Sequence, residues 1–146
     1  VNRRGFTLVE LMVVLVILAL AAAIVVPSLS GPLASARFRR GGAEVRAAMV
    51  QARARATATG RLRTLRLDLD SGRYGIPADN VERALPEGTR FVAVAIAGTT
   101  VERGVAGLRF FPDGSADGAE VVLADASEAR LRLRVDPLTG TVEAGS

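Results

Sequence analysis

The sequence predicts an α+β chain in which an apolar amino-terminal helix crosses a membrane once, continues into an amphipathic helix, and packs that helix on an antiparallel β-sheet head. Three patterns predict this. Residues 6–26 are apolar apart from Thr7 and Glu10, residues 43–59 place small and apolar side chains at three-and-four spacing, and from Leu62 onward the apolar period falls to two. With 146 residues, the chain holds one head domain, and its expected divisions are 1–5, 6–26, 27–60 and 61–146.

Composition removes whole classes of chemistry. The chain has no His and no Cys, which excludes Ser-His-Asp and Cys-His nucleophile systems, ordinary zinc or haem ligation, and any disulfide. All 19 basic residues are Arg, which together with the abundant Ala and Val reads as a base-composition bias rather than as selection for guanidinium recognition. The formal charge of +4 hides an asymmetry: residues 37–66 carry nine Arg against Glu44, whereas residues 67–146 carry eight Arg against thirteen acids. A basic stem therefore bears an acidic head.

The run from Phe6 to Val26 has 21 residues and is closed by Pro27. At about 1.5 Å per residue it reaches roughly 31 Å, the hydrocarbon thickness of a bilayer. A cleaved signal peptide, with Arg3 and Arg4 at the start and Ala21-Ala22-Ala23 as the cut site, is the competing reading. Against it stand the length of the run and Glu10, since a carboxylate at mid-membrane costs ~2.5–3.5 kcal/mol on insertion scales. Thr7 to Glu10 fits a capping box, which explains part of Glu10; the rest requires a positive group at the same depth on a neighbouring helix.

The residues Arg3-Arg4-Gly5-Phe6-Thr7-Leu8-Val9-Glu10-Leu11, followed by the apolar run and Pro27, resemble the class III leader of type IV pilins and pseudopilins. That resemblance implies that a prepilin peptidase cuts between Gly5 and Phe6 and methylates the new amino group of Phe6, and that Glu10 contacts a neighbour's Phe6 amine during filament assembly. It also implies a single pass through the bacterial inner membrane with the head in the periplasm. Charge alone does not choose that orientation, because Arg3 and Arg4 precede the span and Arg37, Arg39, Arg40 and Arg46 follow it. Val1 stands where an initiator Met is expected.

After Pro27, the pairs Gly31-Pro32 and Gly41-Gly42 are expected to kink or melt the helix, each Gly costing about 0.5–1 kcal/mol against Ala. From Ala43 the pattern recovers, with Val45, Ala48, Met49, Ala52 and Ala56 on one face and Gly60 as the stop. Arg46 and Arg53, with Arg55 nearby, are expected on the opposite face and join Arg37, Arg39 and Arg40 in a basic patch. A solvated face, inner-membrane lipid headgroups, or nucleic acid could each account for it. Phe38 is its one aromatic residue, which leaves base stacking unsupported.

In the head, Leu65, Leu67 and Leu69 alternate with Arg66, Asp68 and Asp70, a half-buried strand turning at Asp70-Ser71-Gly72 into Arg73–Ile76. A polar connection through Asn80, Pro86 and Gly88 leads to a strand over Phe91–Ala97. Gly107–Phe111, Ala119–Leu123, Arg130–Val135 and a short last strand after Gly140 complete six or seven strands. Asp113–Gly118 matches the first half of an EF-hand loop, but its twelfth position is Ala124, so a polar hairpin turn is expected, with weak calcium binding at Asp113 and Asp117 as the remaining option.

The order of these elements, with Phe111-Pro112-Asp113-Gly114-Ser115 and Asp136-Pro137-Leu138-Thr139-Gly140-Thr141-Val142, resembles the GspH/FimT group of minor pseudopilins. The resemblance implies a non-enzymatic pseudopilus subunit of type II protein secretion, without cofactor, whose partners are the peptidase, other major and minor pseudopilins, and the inner-membrane secretion platform. The alternative it carries is a FimT-like minor type IV pilin that binds DNA for uptake. The carboxyl end, Thr141–Ser146, lacks the basic motif of the DNA-binding members, which disfavours nucleic acid. A generic anchored or secreted β-rich domain, uncut at Gly5, is the reading outside this family.

Overall fold

The computed structural model describes residues 7–145, and for residues 22–32 the backbone alone. The chain forms two compact units, Val1–Ala34 and Ser35–Ser146. One helix, α1 (Leu8–Thr59), supplies the first unit and enters the second. In the first unit its large side chains are exposed, from Leu8 at 77% to Val14 at 41%. Among the described residues no helix is long and apolar enough to cross a membrane.

The expected melting of the stem is corrected. Helix α1 runs through Pro27, Gly31-Pro32 and Gly41-Gly42 without leaving the helical state. Gly41 and Gly42 are buried, and the reason is close approach: a Cβ on Gly41 would lie 2.9 Å from Pro86 Cδ, and one on Gly42 would overlap Leu131. Their small size lets the head sit against the helix, which offsets their weak helix propensity.

Within the second unit, Phe38, Val45, Ala48, Met49, Ala52 and Ala56 form the buried face of α1, following the three-and-four spacing. Gly60 ends the helix at φ 61°, and Arg61 donates its amide to Ala56 O at 3.3 Å, the bond that closes a left-handed helix cap.

Among the described residues nine strands follow, in two sheets rather than the single one expected. The first sheet has the order β3 (Val81–Ala84), β2 (Arg73–Ile76), β1 (Arg63–Asp68), β6 (Val105–Phe110). The second has the order β5 (Thr99–Val101), β4 (Thr89–Ile96), β7 (Ala119–Asp125), β8 (Arg130–Val135), β9 (Val142–Gly145), and every pairing in both sheets is antiparallel. β3 and β5 are absent from the sequence reading because both are short edge strands with no fully buried side chain and no apolar alternation.

In the strand read over Phe91–Ala97, the period-two order of Val92, Val94 and Ile96 is interrupted. A bulge between Phe91 and Ala93 gives β4 one extra residue, so Phe91 and Val94 both reach the core although an odd number of positions separates them. With Leu65, Leu67, Leu108, Phe110, Val121, Leu123, Leu133 and Val135 they close a core against α1.

Tyr74 lies in that core, 1% exposed and edge-on to Phe91 with ring centroids 6.4 Å apart, yet its hydroxyl has no hydrogen-bond partner among the described residues. Desolvation raises its pKa, and the nearby Glu44 carboxylate adds to the rise. Tyr74→Phe keeps the ring contact and removes an unpaired polar group, so we expect a gain of about 1 kcal/mol. Urea unfolding of the full chain in detergent measures it, and a loss of stability would mean that the hydroxyl is satisfied in solution.

Candidate functional site

Three groups of residues carry the functional reading: the helix start, the basic stem, and two turns at the carboxyl end of the head. Gly5 and Phe6, the expected cleavage and methylation positions, lie outside the described residues. Immediately after them, Thr7 caps α1: its Oγ1 accepts from the Glu10 amide at 3.2 Å, and its carbonyl accepts from the Leu11 amide at 3.2 Å. This is the forward half of the capping box. The Glu10 side chain itself is exposed, one turn from the helix start, where a negative charge interacts favourably with the helix dipole. Pro27 lies within α1, and its side chain is outside the description.

The five arginines of the expected basic patch have different surroundings. Arg37 and Arg39 are exposed, and Arg40 pairs with Glu44 one turn on at 2.8 Å. Arg46 and Arg53 instead turn toward the head. Arg46 Nε donates to Val142 O at 3.2 Å, and Arg53 Nε donates to Gly114 O at 3.1 Å. Arg46 stays exposed while it makes this contact, since a long side chain can snorkel along the helix to an unpaired carbonyl; a neutral backbone acceptor gives no sequence signal. Arg46 also occupies a carbonyl on the outer edge of β9, a strand with no further neighbour among the described residues.

Arg55 completes this fastening. Its Nη1 lies 2.6 Å from Asp79 Oδ2, an ion contact without hydrogen-bond alignment, and Arg63 Nη2 lies 3.8 Å from Asp79 Oδ1. Asp79 belongs to a one-turn 3-10 helix, Pro77–Asp79, inside the segment read from sequence as a plain polar connection. One half-hidden carboxylate therefore ties the end of α1 to the first sheet, with side-chain exposure of only 12%.

The two turns singled out in the sequence meet. Ala116 donates its amide to Pro137 O at 3.1 Å, and Gly140, at φ 62°, sits against Gly114 O and the Arg53 side chain. Within the second turn, Asp136 Oδ1 accepts from the amides of Leu138 and Thr139 and from the Thr139 hydroxyl, at 2.8–3.0 Å. Those bonds, led by the Thr139 amide, hold the Asp136 carboxyl below its ordinary pKa, as the Ser115 hydroxyl does for Asp113. The two turns are distant in sequence, and Arg53, bonded to Gly114 O and packed on Gly140, adds a third element to their direct contact.

The EF-hand-like stretch has a different use. Asp113 accepts from the Ser115 amide and hydroxyl, while Arg109 forks onto Asp117 through Nε at 2.8 Å and Nη2 at 3.1 Å and lies over the Phe111 ring. Both carboxylates are engaged by groups of this chain, and the hydrogen bonds and charge of Asp117 raise the Arg109 pKa. The segment turns locally as the expected hairpin, with Phe111 donating its amide to Ser115 O at 2.9 Å, Asp117 donating to Arg109 O at 3.0 Å and Phe110 bridging Ala116, but β6 and β7 beyond it belong to different sheets.

Comparison with known proteins agrees with this division of the chain. Residues 1–26 match the prokaryotic N-terminal methylation motif, and residues 41–139, well over half of the chain, match the family described as type II transport protein GspH. A relative from Xanthomonas campestris pv. campestris, named type II secretion system protein H, is 28% identical over 144 residues, covering 97% of this chain and 83% of its own length. No solved structure matches the chain. With the methylation motif at its start and the family's pattern across α1 and both sheets, the chain belongs to the GspH family of type II transport proteins, the minor pseudopilins of type II protein secretion.

Proposed function

We propose that this pseudopilin works as a processed, membrane-held building block and performs no catalysis of its own. A prepilin peptidase removes residues 1–5, cutting between Gly5 and Phe6, and methylates the Phe6 amine. Residues 6–26 then hold the chain in the bacterial inner membrane with the head in the periplasm, beside the secretion platform. Extraction into the pseudopilus exchanges lipid for the apolar helices of neighbouring major and minor pseudopilins. Pro27, which lacks an amide proton and crowds the preceding turn, is the point at which the extracted helix bends.

The observation that carries this reading is the helix start. Thr7 fixes the first turn of α1 and presents Glu10 to the outside, inside a segment that matches a methylation motif. An exposed carboxylate on an otherwise apolar helix needs a cation, and the freed amine of a neighbour's Phe6 is a cation at the same depth. The DNA-binding alternative draws less support, because Arg46 and Arg53 are already engaged with head carbonyls.

The test is the mass of the amino-terminal peptide of the full chain purified from membranes that contain a prepilin peptidase. The expected peptide begins at methylated Phe6. An uncut leader, or a cut beyond Ala23, would return the chain to a generic anchored or secreted domain.

A further inference from the structure

The arginines of α1 divide at Gly41-Gly42. Beyond the glycines, Arg46, Arg53 and Arg55 each reach an acceptor in the head. Before them, Arg37 and Arg39 are exposed and have no ion pair among the described residues, while Arg40 holds Glu44 with its own side chain still 78% exposed. Phe38 sets this arrangement, because it is buried in the core of the head. At about 100° per residue, a helix that buries position 38 turns 37 and 39 to its two flanks and 40 away from the head. The three guanidiniums thus form a collar around the exposed sides of one turn. Helical side chains lean toward the amino-terminus, so the collar leans toward the part of the chain that precedes it.

The head residues packed on this stretch leave the collar positive. Gly42 seats against Leu131, whose neighbour Arg130 is exposed and has no ion pair among the described residues, and Gly41 seats against Pro86 and Thr89. Of the adjacent acids, Arg40 holds Glu44 and Arg90 holds Glu128, which leaves Glu87 against Arg37, Arg39 and Arg130. Across Leu85, Asp68 and Asp70 accept from backbone amides of Asp70, Ser71 and Gly104. Clustered guanidiniums repel one another in the monomer, and a plane of negative charge compensates them. Arg37 follows Val26 by eleven residues. As helix that is roughly 16 Å, so with residues 6–26 in a bilayer the leaning side chains come within about one Debye length of the headgroup layer.

We infer that Arg37, Arg39 and Arg40, with Arg130 beside them, bind the anionic phosphodiester headgroups of the membrane that residues 6–26 cross, and hold the head at the bilayer until the subunit is extracted. The inference rests on the membrane reading proposed above. A collar around a helix fits a plane of phosphates better than it fits a nucleic-acid strand, and its one aromatic residue, Phe38, is buried and cannot stack on a base.

The absence of Cys allows single labels. The full chain with Ala36→Cys, carrying a fluorophore, is reconstituted in phosphatidylcholine vesicles and in vesicles that also contain phosphatidylglycerol, both with a quencher attached to a lipid headgroup. Leu15→Cys with an acyl-chain quencher reports the span. Quenching at position 36 is expected to be about threefold stronger with phosphatidylglycerol, and to fall to the phosphatidylcholine level in high salt or when Arg37, Arg39 and Arg40 are all replaced by Gln. Equal quenching in the two lipids, or quenching that survives both salt and the substitutions, would overturn the lipid contact while quenching at position 15 upholds the span. Release of the label by inorganic phosphate at fixed ionic strength would assign a free-phosphate site, and release by a short DNA duplex at less phosphate than the vesicles supply would assign a nucleic-acid site; either overturns the inference. Loss of quenching at position 15 would overturn the span reading, and the lipid contact with it.

Discussion

Gly140→Ala is expected to destabilise the protein by about 3 kcal/mol or more, whereas Gly60→Ala, a substitution at nearly the same backbone angle, costs only about 1 kcal/mol. Both glycines are left-handed, at φ 62° and φ 61°. What differs is the space. A Cβ on Gly60 meets nothing within 4 Å, but a Cβ on Gly140 would overlap Gly114 O and approach the Cδ and Nε of Arg53 to 3.0 Å. The carbonyl it strikes is the one that accepts from Arg53, so the substitution cannot relax by moving a side-chain tip; it must separate the two turns or displace the arginine. Thermal unfolding of the two variants side by side separates the conformational cost from the steric one. Equal losses would mean that the turns do not interlock in solution.

That result would bear on why the site was only partly legible in the sequence. The buried face of α1 was readable, since Val45, Ala48, Met49, Ala52 and Ala56 repeat at helical spacing and all are buried. So was the first hairpin, where Leu65 and Leu67 point inward and Asp68 accepts the amides of Asp70 and Ser71. The helix start was readable too, because Thr7 and Glu10 interact three residues apart.

The features that were misread depend on partners distant in sequence. Gly41 and Gly42 look like helix breakers until Pro86 and Leu131 are placed against them. The head contacts of Arg46 and Arg53 stay hidden until the acceptors, 96 and 61 residues away, are known. A backbone carbonyl left over at a strand edge or turn has no residue type, so no pattern search can find it. The bulge in β4 is of the same kind: period-two alternation continues through the letters at Val92 while the strand itself adds a residue.

Glu10→Ala is expected to leave the chain inserted and processed but to reduce its recovery with other pseudopilins by at least about tenfold, since removing one member of a desolvated charge pair leaves the other uncompensated. The structure argues that this loss would not come from a damaged helix. The amide of residue 10 is capped by the Thr7 hydroxyl at 3.2 Å, a bond that alanine preserves, and the carboxylate contributes to the helix only through its favourable position in the first turn, worth about 0.5 kcal/mol at an exposed site. Helix content of the purified variant should therefore stay unchanged while co-purification falls. Glu10→Gln separates charge from shape: it keeps the length and hydrogen-bonding capacity of the side chain, so equal loss in both variants assigns the effect to the negative charge and hence to a cationic partner such as the Phe6 amine. Recovery of Glu10→Gln at the level of the unmodified chain would assign it to a neutral hydrogen bond, and recovery of Glu10→Ala at that level would remove Glu10 from assembly altogether.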